Sequence, residues 1–273
     1  MIPLAVFGDP IAHSLSPQLH QLFAQQVVIE VDYRAILAPP DTFAQQLQRF
    51  FNDGGVGANI TLPHKVTVMA LADKVSQRAA LAGAANTLSK VDGELHADNT
   101  DGVGLVRDLK RQVGALQGSR VLILGAGGAV RGIVGPLLDA GCETIVLRNR
   151  TTEKAQLIAD MMNQGAGQAV RLYQVNDDSQ NFDLIINAVS AGHQQQSPAK
   201  LSPTWFAASR LVYDLSYGRA AEPFLHQAQA LKTGLEVSDG LGMLVAQGAE
   251  SFAIWTGKQV EFTQALRILR ESL

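Results

Sequence analysis

Short apolar runs of strand length alternate with amphipathic stretches at the start of the chain. The runs at residues 2–8, 32–37 and 56–62 are each followed by a segment whose apolar positions recur at helical spacing. The predicted helices are residues 16–26, 40–51 and 64–73. Strands that alternate with helices are typical of βαβ units. The pattern therefore predicts an α/β domain with a mainly parallel sheet.

A hairpin and a helix follow this first series. Residues 87–98 alternate in polarity on both sides of Asp92 and Gly93, which predicts two strands joined by a tight two-residue turn. We expect the hairpin to close the first sheet. Residues 101–112 place apolar side chains at spacings near three and four, so we expect a helix that leads out of the first domain.

A second series begins at residue 120 and has the order of a doubly wound, dinucleotide-binding domain. The predicted strands are residues 120–125, 144–149, 170–174, 183–189 and 210–217. Two helical patterns, 241–257 and 261–273, end the chain without any further strand to cover in the second domain. We therefore expect two α/β domains, with the C-terminal helices returning to the first.

The composition excludes several classes of protein. A formal net charge of -3, with both signs mixed along the chain, offers no basic face to a nucleic acid. The single cysteine, Cys142, cannot form an internal disulfide, and no cysteine and histidine cluster has the spacing of a metal site. With no basic leader and no segment long enough to span a bilayer, we expect a cytoplasmic protein without membrane contact, either a monomer or a homodimer.

The segment after residue 120 has the strand, glycine turn and helix order of a pyrophosphate site. Gly125, Gly127 and Gly128 allow a close backbone approach, and free amides at the helix start can donate to phosphates. The strict G-x-G-x-x-G spacing fails, because position 130 is Val130 and the next glycine is Gly132. The alternative is a tight turn that binds nothing.

The residues after the next predicted strand favour NADP over NAD. An NAD site places Asp or Glu there to accept from the ribose hydroxyls. This chain instead has a polar, largely basic cluster of Arg148, Asn149, Arg150, Thr151 and Lys154. A guanidinium at this place pairs with a 2'-phosphate. The alternative is a solvated basic helix start, although cations are disfavoured at a helix N-terminus without a bound anion.

Polar residues also follow the predicted strands of the first domain, where open α/β sheets bind ligands. The hydroxyls of Ser14 and Ser16, two positions apart, could donate together to a carboxylate, or one of them could simply cap the helix before Pro17. Asn59 and Thr61 alternate on a predicted strand.

Lys65 and Asp101 are the candidate catalytic pair. We expect Lys65 to open the next helix, where the helix dipole favours the neutral amine of a general base, although most lysines are solvated surface charges. Asp101 follows Asn99 and Thr100 at a predicted helix start, where a carboxylate commonly serves only as a cap.

Taken together, these segments resemble the bacterial shikimate dehydrogenase family over almost the whole chain. The matching motifs, in order, are GDPIAHSLSPQLH, NITLPHK, AGAANTL, ADNTDGVG, ILGAGGAVRG, NRT, DLSY and DGLGMLVAQ. The chain departs from the usual family pattern at Gln21, His64, Leu215 and Ser216, none of which removes a proposed catalytic group. We interpret His64 as a helix-start residue.

The resemblance implies roles for individual residues. Lys65 is the implied general acid and base, with Asp101 as its partner. The implied substrate contacts are Ser14 and Ser16 on the carboxylate, Tyr217 nearby, and Thr61, Asn86 and Gln247 on the ring hydroxyls. The implied NADP contacts are Gly125, Ala126, Gly127, Gly128, Ala129, Asn149, Arg150, Thr151, Lys154, Leu215 and Gly240.

The implied reaction is the reversible NADPH-dependent reduction of 3-dehydroshikimate to shikimate, a step of chorismate and aromatic amino-acid biosynthesis. The implied organisation is a substrate domain at residues 1–102, a Rossmann-like NADP domain at 103–238 and C-terminal helices at 239–273 packed on the substrate domain. Two alternatives are a quinate/shikimate dehydrogenase of the same fold and a non-catalytic NADP-binding sensor. The presence of both Lys65 and Asp101 disfavours the sensor.

Overall fold

The computed structural model of the chain describes residues 1–166, 169–173, 181–189 and 201–273. The chain forms two compact units. Unit 1 consists of Met1–Leu105 and Leu244–Leu273, and unit 2 consists of Val106–Met243. The last residues of the chain therefore belong to the same unit as the first, as expected for the C-terminal helices.

Unit 1 is built around a six-stranded sheet with the strand order β2-β1-β3-β5-β6-β4. The strands are β1 (Ile2–Gly8), β2 (Val31–Leu37), β3 (Gly57–Ile60), β4 (Lys74–Val75), β5 (Thr87–Val91) and β6 (Glu94–Asp98). β1 pairs in parallel with β2 and β3, β5 is antiparallel to both of its neighbours, and β4 is parallel to β6. Asp92 and Gly93 both have positive φ in the two-residue turn of the β5–β6 hairpin, as predicted.

The helices that pack in unit 1 bury one apolar stripe each. In α2, Phe43, Leu47 and Phe51 recur every four residues and are buried, which places them on one face against the sheet. The first four helices are α1 (Ser16–Gln26), α2 (Phe43–Asn52), α3 (Gln77–Ala82) and α4 (Asp101–Val113), the last continuing into unit 2.

The predicted helix at residues 64–73 is wrong. Only Thr67–Leu71 are helical, and they form a 3₁₀ helix. The backbone is extended at Ala72, and the next residues pair with β6 as strand β4. The β-branched side chains of residues 66–68 lower helix propensity, so sheet pairing prevails here. Because β4 occupies the edge, the hairpin does not close the sheet as expected.

Unit 2 contains a six-stranded, fully parallel sheet with the order β12-β11-β10-β7-β8-β9. The strands are β7 (Arg120–Leu124), β8 (Thr144–Arg148), β9 (Val170–Leu172), β10 (Leu184–Asn187), β11 (Leu211–Asp214) and β12 (Val237–Ser238). This is the doubly wound dinucleotide-binding order that the sequence predicts, with the short β12 as an addition. The predicted strand at 170–174 ends at Leu172, and Gln174 lies outside the described residues.

The helices that follow the strands of unit 2 are α5 (Gly128–Asp139), α6 (Thr152–Ala166) and α7 (Glu222–Leu231). Helix α8 (Leu241–Thr256) begins in unit 2 and continues into unit 1, where α9 (Phe262–Glu271) ends the fold. Among the described ranges, none of the helices combines the length and the hydrophobicity that a bilayer crossing requires.

Candidate active site

One edge of the unit 1 sheet collects most of the candidate residues. The carboxyl ends of β1, β3 and β6 lie at the same edge as the amino end of β5, because β5 is antiparallel to β3 and β6. The residues that follow or precede these strand ends are Ser14 and Ser16 after β1, Thr61 and Lys65 after β3, Asn86 before β5, and Asp101 after β6. The topology thus brings four separate segments together.

Lys65 and Asp101 form a largely buried ion pair at this edge. Nζ of Lys65 lies 2.5 Å from Oδ2 of Asp101, and only 15% and 5% of the two side chains are exposed. Lys65 is therefore not a solvated surface charge. Its predicted place at the start of an α-helix is wrong, since it lies in a turn before the 3₁₀ helix. The carboxylate of Asp101, rather than a helix dipole, is the main charge acting on Lys65.

The carboxylate of Asp101 bonds to side chains, although Asp101 lies at the start of α4. Its Oδ2 faces Nζ of Lys65 and its Oδ1 accepts from Nδ2 of Asn86. Its backbone N–H, one of the free amides of the helix start, donates to Oδ1 of Asn99 at 3.1 Å.

Asn86 orients the second carboxylate oxygen. Its Nδ2 donates to Oδ1 of Asp101 at 2.9 Å, with Oγ1 of Thr100 at 2.8 Å and Oε1 of Gln247 at 3.1 Å also within reach. The backbone N–H of Thr100, which can only donate, faces Oδ1 of Asn86 at 2.8 Å and so determines which amide atom faces Asp101. Gln247 comes close because a Cβ atom at Gly104 would lie 2.7 Å from its backbone nitrogen.

Ser14 and Ser16 lie at the start of α1. Oγ of Ser14 accepts a hydrogen bond from the backbone N–H of Ser16 at 3.3 Å, so Ser14 does serve the helix start. Because it accepts in this bond, its own O–H is available to an acceptor elsewhere. Thr61 packs against Gly8 at the end of β1, where a Cβ atom on the glycine would overlap the methyl group of Thr61.

His64 is a core residue, so its interpretation as a helix-start residue is wrong. Its side chain is buried, its ring stacks on Phe43 with centroids 3.9 Å apart, and Nε2 lies 2.6 Å from the carbonyl oxygen of Ala38. His64 therefore points away from Lys65, into the packing of α2 on the sheet.

His20 is also buried, behind the sheet edge. Its ring stacks on Tyr33 at 4.2 Å, and neither ring nitrogen has a hydrogen-bond partner in the part of the chain that the structure describes. Burial lowers the pKa of His20 to about 3, against a smaller opposing contribution from the nearby Asn59 amide, which is not in good hydrogen-bond geometry. The imidazole is therefore neutral at physiological pH.

In unit 2 the glycine-rich turn joins β7 to α5. Gly125 has φ of +118°, and a Cβ atom there would lie 3.0 Å from the carbonyl group of Ala188, so the turn requires glycine. Gly127 precedes α5 without a side-chain cap and has open space where a Cβ would stand. Free first-turn amides around Gly128 and Ala129 fit a pyrophosphate.

Arg148 is held apart from the rest of the basic cluster. Its guanidinium carbon lies 4.7 Å from the ring centroid of Trp205 and 5.2 Å from that of Tyr173. The Trp205 indole in turn donates to the Tyr173 hydroxyl at 3.1 Å. Arg148 therefore packs on the aromatic pair at the end of β8, as cation–π contacts favour.

The remaining residues of the cluster are presented at the start of α6. Arg150, Thr151 and Lys154 are exposed, and Nδ2 of Asn149 donates to the carbonyl oxygen of Thr151 at 2.8 Å, which braces the turn. An acidic residue, Glu153, also lies in the first turn of α6. The cluster therefore has exposed cations at the end of the sheet, and the carboxylate of Glu153 lies among them.

The other candidates of unit 2 follow β11. Leu215 and Gly240 are neighbours: a Cβ atom at Gly240 would overlap the carbonyl oxygen of Leu215, and the N–H of Gly240 donates to the carbonyl of Ser216 at 2.7 Å. Tyr217 is partly buried and precedes a 3₁₀ helix at Gly218–Ala220.

Sequence reasoning missed Asp214, which supports this turn. It is fully buried and accepts hydrogen bonds from Nδ2 of Asn187 and the backbone N–H of Ser216, both at 2.7 Å. Burial raises the pKa of Asp214 to about 6, partly offset by these hydrogen bonds. The signal in the sequence is an aspartate within an otherwise apolar predicted strand, at the first position of the DLSY motif.

A second group lies beneath Asn86, and only its member Asn59 was singled out from the sequence. Tyr33, Asn59, Thr87 and Ser251 are buried and joined to Asn86 by hydrogen bonds. They come from four different elements, so no local spacing connects them. In the described part of the chain, no three His, Cys, Asp or Glu side chains are arranged to hold a metal ion.

Three family models match successive parts of the chain. The shikimate dehydrogenase substrate binding domain matches residues 6–88, shikimate / quinate 5-dehydrogenase matches residues 107–233, and the shikimate 5'-dehydrogenase C-terminal domain matches residues 240–270. The chain belongs to the shikimate dehydrogenase family. This confirms the resemblance that the motifs indicate.

Curated relatives agree with this assignment. Shikimate dehydrogenase (NADP(+)) from Xanthomonas euvesicatoria is 46% identical over 268 residues, 97% of this chain and 94% of the relative. The protein of the same name from Xylella fastidiosa strain M12 is 45% identical over 267 residues, with the same coverage.

Solved structures share the whole fold. The Ael1 enzyme from Pseudomonas putida is 39% identical with a TM-score of 0.89, covering 98% of both chains. Shikimate 5-dehydrogenase from Thermus thermophilus, solved in complex with NADP(H) and shikimate, is 33% identical with a TM-score of 0.87, covering 100% of both chains.

Proposed function

We propose that this chain catalyses the reversible NADPH-dependent reduction of 3-dehydroshikimate to shikimate. The observation that carries the proposal is the buried Lys65–Asp101 pair, held by Asn86 at the sheet edge where Ser14, Ser16 and Thr61 also lie. Relatives 45% and 46% identical over 97% of this chain are NADP(+)-dependent shikimate dehydrogenases, which supports the same assignment.

In the proposed reaction, Lys65 acts on the carbonyl oxygen of the substrate. When bound, NADPH supplies the hydride to the ketone carbon. The Lys65 ammonium group donates a proton from Nζ to the oxygen as it becomes a hydroxyl, and in the reverse reaction the neutral amine removes that proton. Asp101 holds Nζ in place, and Asn86 holds Asp101.

The substrate contacts are assigned by the chemistry at the sheet edge. We assign Ser14 and Ser16, with Tyr217, to the carboxylate of shikimate. Hydroxyl and amide side chains match the ring hydroxyls, and these are Thr61, Asn86, Asp101 and Gln247. Unit 1 is accordingly the proposed substrate domain and unit 2 the proposed NADP domain.

The residues of unit 2 fit NADP. The uncapped amides from Gly127 to Ala129 would hold the pyrophosphate, after the tight turn at Gly125 and Ala126 and beside the open space at Gly127. Arg150, Thr151 and Lys154, braced by Asn149, would hold the 2'-phosphate, and Leu215 and Gly240 would lie by the nicotinamide.

The assignment of the carboxylate is tested by the double variant Ser14→Ala with Ser16→Ala. Two hydroxyl donors to a charged acceptor are lost, so we expect the Kd of shikimate to rise by about tenfold or more, and that of its methyl ester far less. Titration calorimetry with both ligands measures the difference. Equal weakening of the two would mean that the serines serve only the start of α1.

The assignment of NADP is tested by Arg150→Ala. A charge-assisted hydrogen bond is worth roughly 1.5–3 kcal/mol, so the Kd of NADP is expected to rise by about ten- to a hundredfold while that of NAD hardly changes. Both constants are measured across a salt series, in which NADP binding to the unsubstituted protein should be the more salt-sensitive.

The matched control is Lys110→Ala, which removes a positive charge from an exposed position in α4 of unit 2. It should leave both constants unchanged. An equal loss of NADP and NAD affinity in Arg150→Ala would show that Arg150 supports the adenine or the fold, and the assignment of the 2'-phosphate to this cluster would be withdrawn.

A further inference from the structure

Tyr33 joins two parts of the candidate site that are far apart in the sequence. Its hydroxyl lies 2.7 Å from Oδ1 of Asn59, inside unit 1. Nδ2 of Asn59 lies 3.2 Å from the backbone carbonyl oxygen of Asn86 and 3.1 Å from Oγ of Ser251. All of these side chains are at least nine-tenths buried, so bulk water does not compete for their hydrogen bonds.

The direction of each bond is determined by the backbone carbonyl of Asn86. A carbonyl only accepts, so the Asn59 atom that faces it is the amide nitrogen. The other amide atom of Asn59 is then the oxygen, and the Tyr33 hydroxyl must donate to it. The single hydrogen of the phenol is therefore committed to Asn59.

A second path leads from Asn59 to the side chain of Asn86. Oγ of Ser251 lies 2.8 Å from Oγ1 of Thr87, which donates to Oδ1 of Asn86 at 2.9 Å. The amide nitrogen of Asn86 then donates to Asp101, the partner of Lys65. The orientation of Asn59 is thus linked to that of the ion pair.

Burial keeps the hydrogen of the Tyr33 hydroxyl available to Asn59. It raises the pKa of Tyr33 well above its usual value, so the phenol stays protonated at physiological pH. The bond from Tyr33 to Asn59 is therefore a hydrogen bond between a neutral donor and a neutral acceptor.

We propose that Tyr33 is a positioning residue that orients the proton-donating end of the site. Its hydroxyl holds the Asn59 amide, Asn59 holds Asn86, and Asn86 holds Asp101. The inference rests on the proposed function, in which Asn86 contacts a ring hydroxyl and Lys65 faces the reacting oxygen. Tyr33 itself touches neither reactant.

The test is steady-state kinetics of Tyr33→Phe, which removes the hydroxyl and keeps the ring stacked on His20. Loss of the buried hydrogen bond to Asn59 should raise the KM for shikimate about fivefold to tenfold and lower kcat by a similar factor, because Asn86 is assigned both to a ring hydroxyl and to Asp101. The KM for NADP should stay within about twofold, because the cofactor residues lie in unit 2. A merely destabilising change would not separate the two substrates in this way.

Tyr213→Phe is the matched control. Its hydroxyl is equally buried and lies 2.9 Å from Oδ2 of Asp108, but it belongs to unit 2. It should lose comparable thermal stability without the rise in the KM for shikimate. If Tyr33→Phe and Tyr213→Phe have the same KM and kcat for shikimate, the positioning role of Tyr33 is overturned.

Ser251→Ala tests the path from Asn59 to Asn86, and it carries the test if Tyr33→Phe does not fold. It removes the hydroxyl that lies between Asn59 and Thr87 and leaves only their longer direct contact of 3.4 Å. A several-fold lower kcat supports the path, and an unchanged kcat overturns it.

The unsubstituted enzyme separates this inference from the proposed function. Absence of any turnover of shikimate would overturn the function and the role of Tyr33 with it. Normal turnover, together with a Tyr33→Phe variant that behaves like Tyr213→Phe, would overturn the role of Tyr33 alone.

Discussion

Replacement of Lys65 by alanine is expected to lower kcat by about two to four orders of magnitude, the usual contribution of a general acid or base. Nζ of Lys65 is held 2.5 Å from Asp101, and the variant would leave that carboxylate without a proton donor to position. The affinity for shikimate should change little, because the carboxylate and ring hydroxyls are assigned to other side chains. Single-turnover and steady-state rates with shikimate and NADP⁺ measure the effect.

Lys74→Ala is the control for this variant. Lys74 carries the same charge in unit 1, but it is exposed and pairs with Glu94 on the edge strand β4. Its removal should leave kcat within about twofold, as exposed ion pairs contribute little. Circular dichroism establishes that Lys65→Ala is folded despite the unpaired Asp101. Turnover of a folded Lys65→Ala within a few-fold of the unsubstituted enzyme would remove Lys65 from the chemistry.

Acidification is expected to destabilise unit 1 through His20, by several kcal/mol. Burial lowers the pKa of His20 to about 3 in the folded protein, whereas an unfolded histidine has a pKa near 6.5. As the pH falls, the unfolded chain therefore binds the extra proton first. The contribution of His20 to the free energy of unfolding is fully present above about pH 6.5 and is lost progressively as the pH decreases toward 3. At pH 4.5 the loss from this group should be about 2–3 kcal/mol.

The His20→Phe variant isolates this contribution. A phenyl ring keeps the stack on Tyr33 and cannot be protonated, so the variant should lose less stability between pH 7 and pH 4.5 than the unsubstituted protein. The comparison is necessary because burial raises the pKa of Asp214 to about 6, which changes stability in the opposite sense over the same range.

Urea unfolding is followed by fluorescence, since Trp255 lies 5.4 Å from the His20 ring and reports on unit 1. The exposed His226 provides the control, and His226→Gln should keep the pH dependence of the unsubstituted protein. If His20→Phe and the unsubstituted protein lose stability in parallel on acidification, then His20 is not held neutral by burial.

Much of the fold follows from the hydrophobic pattern. The parallel sheet of unit 2 was predictable because apolar runs such as 120–125 and 183–189 are bounded by turns and separated by helices. The helix predicted at 64–73 was wrong because the spacing of apolar residues takes no account of two other effects. These are the low helix propensity of β-branched residues and the pairing of β4 with β6. A two-residue strand such as β4 has no periodicity to recognise.

The candidate site shows the same limit. Lys65 and Asp101 could be proposed from motifs, and their ion pair follows once β3 and β6 end at the same sheet edge. The predicted effect of a helix dipole on Lys65 was wrong, because no α-helix begins at Lys65. Tyr33 and Ser251 could not be found from the sequence, because hydrogen bonds between residues far apart in the chain have no local pattern.

The choice of substrate and cofactor is measured directly by kcat/KM for shikimate and for quinate, each with NADP⁺ and with NAD⁺. We expect kcat/KM for shikimate with NADP⁺ to exceed that of each of the other three combinations by about tenfold or more, because Arg150 is assigned to the 2'-phosphate and fixed side chains to the ring hydroxyls. Comparable values for quinate or for NAD⁺ would contradict that selectivity and indicate a quinate/shikimate dehydrogenase. No activity in any combination would contradict the proposed function and leave a nucleotide-binding protein of the same fold.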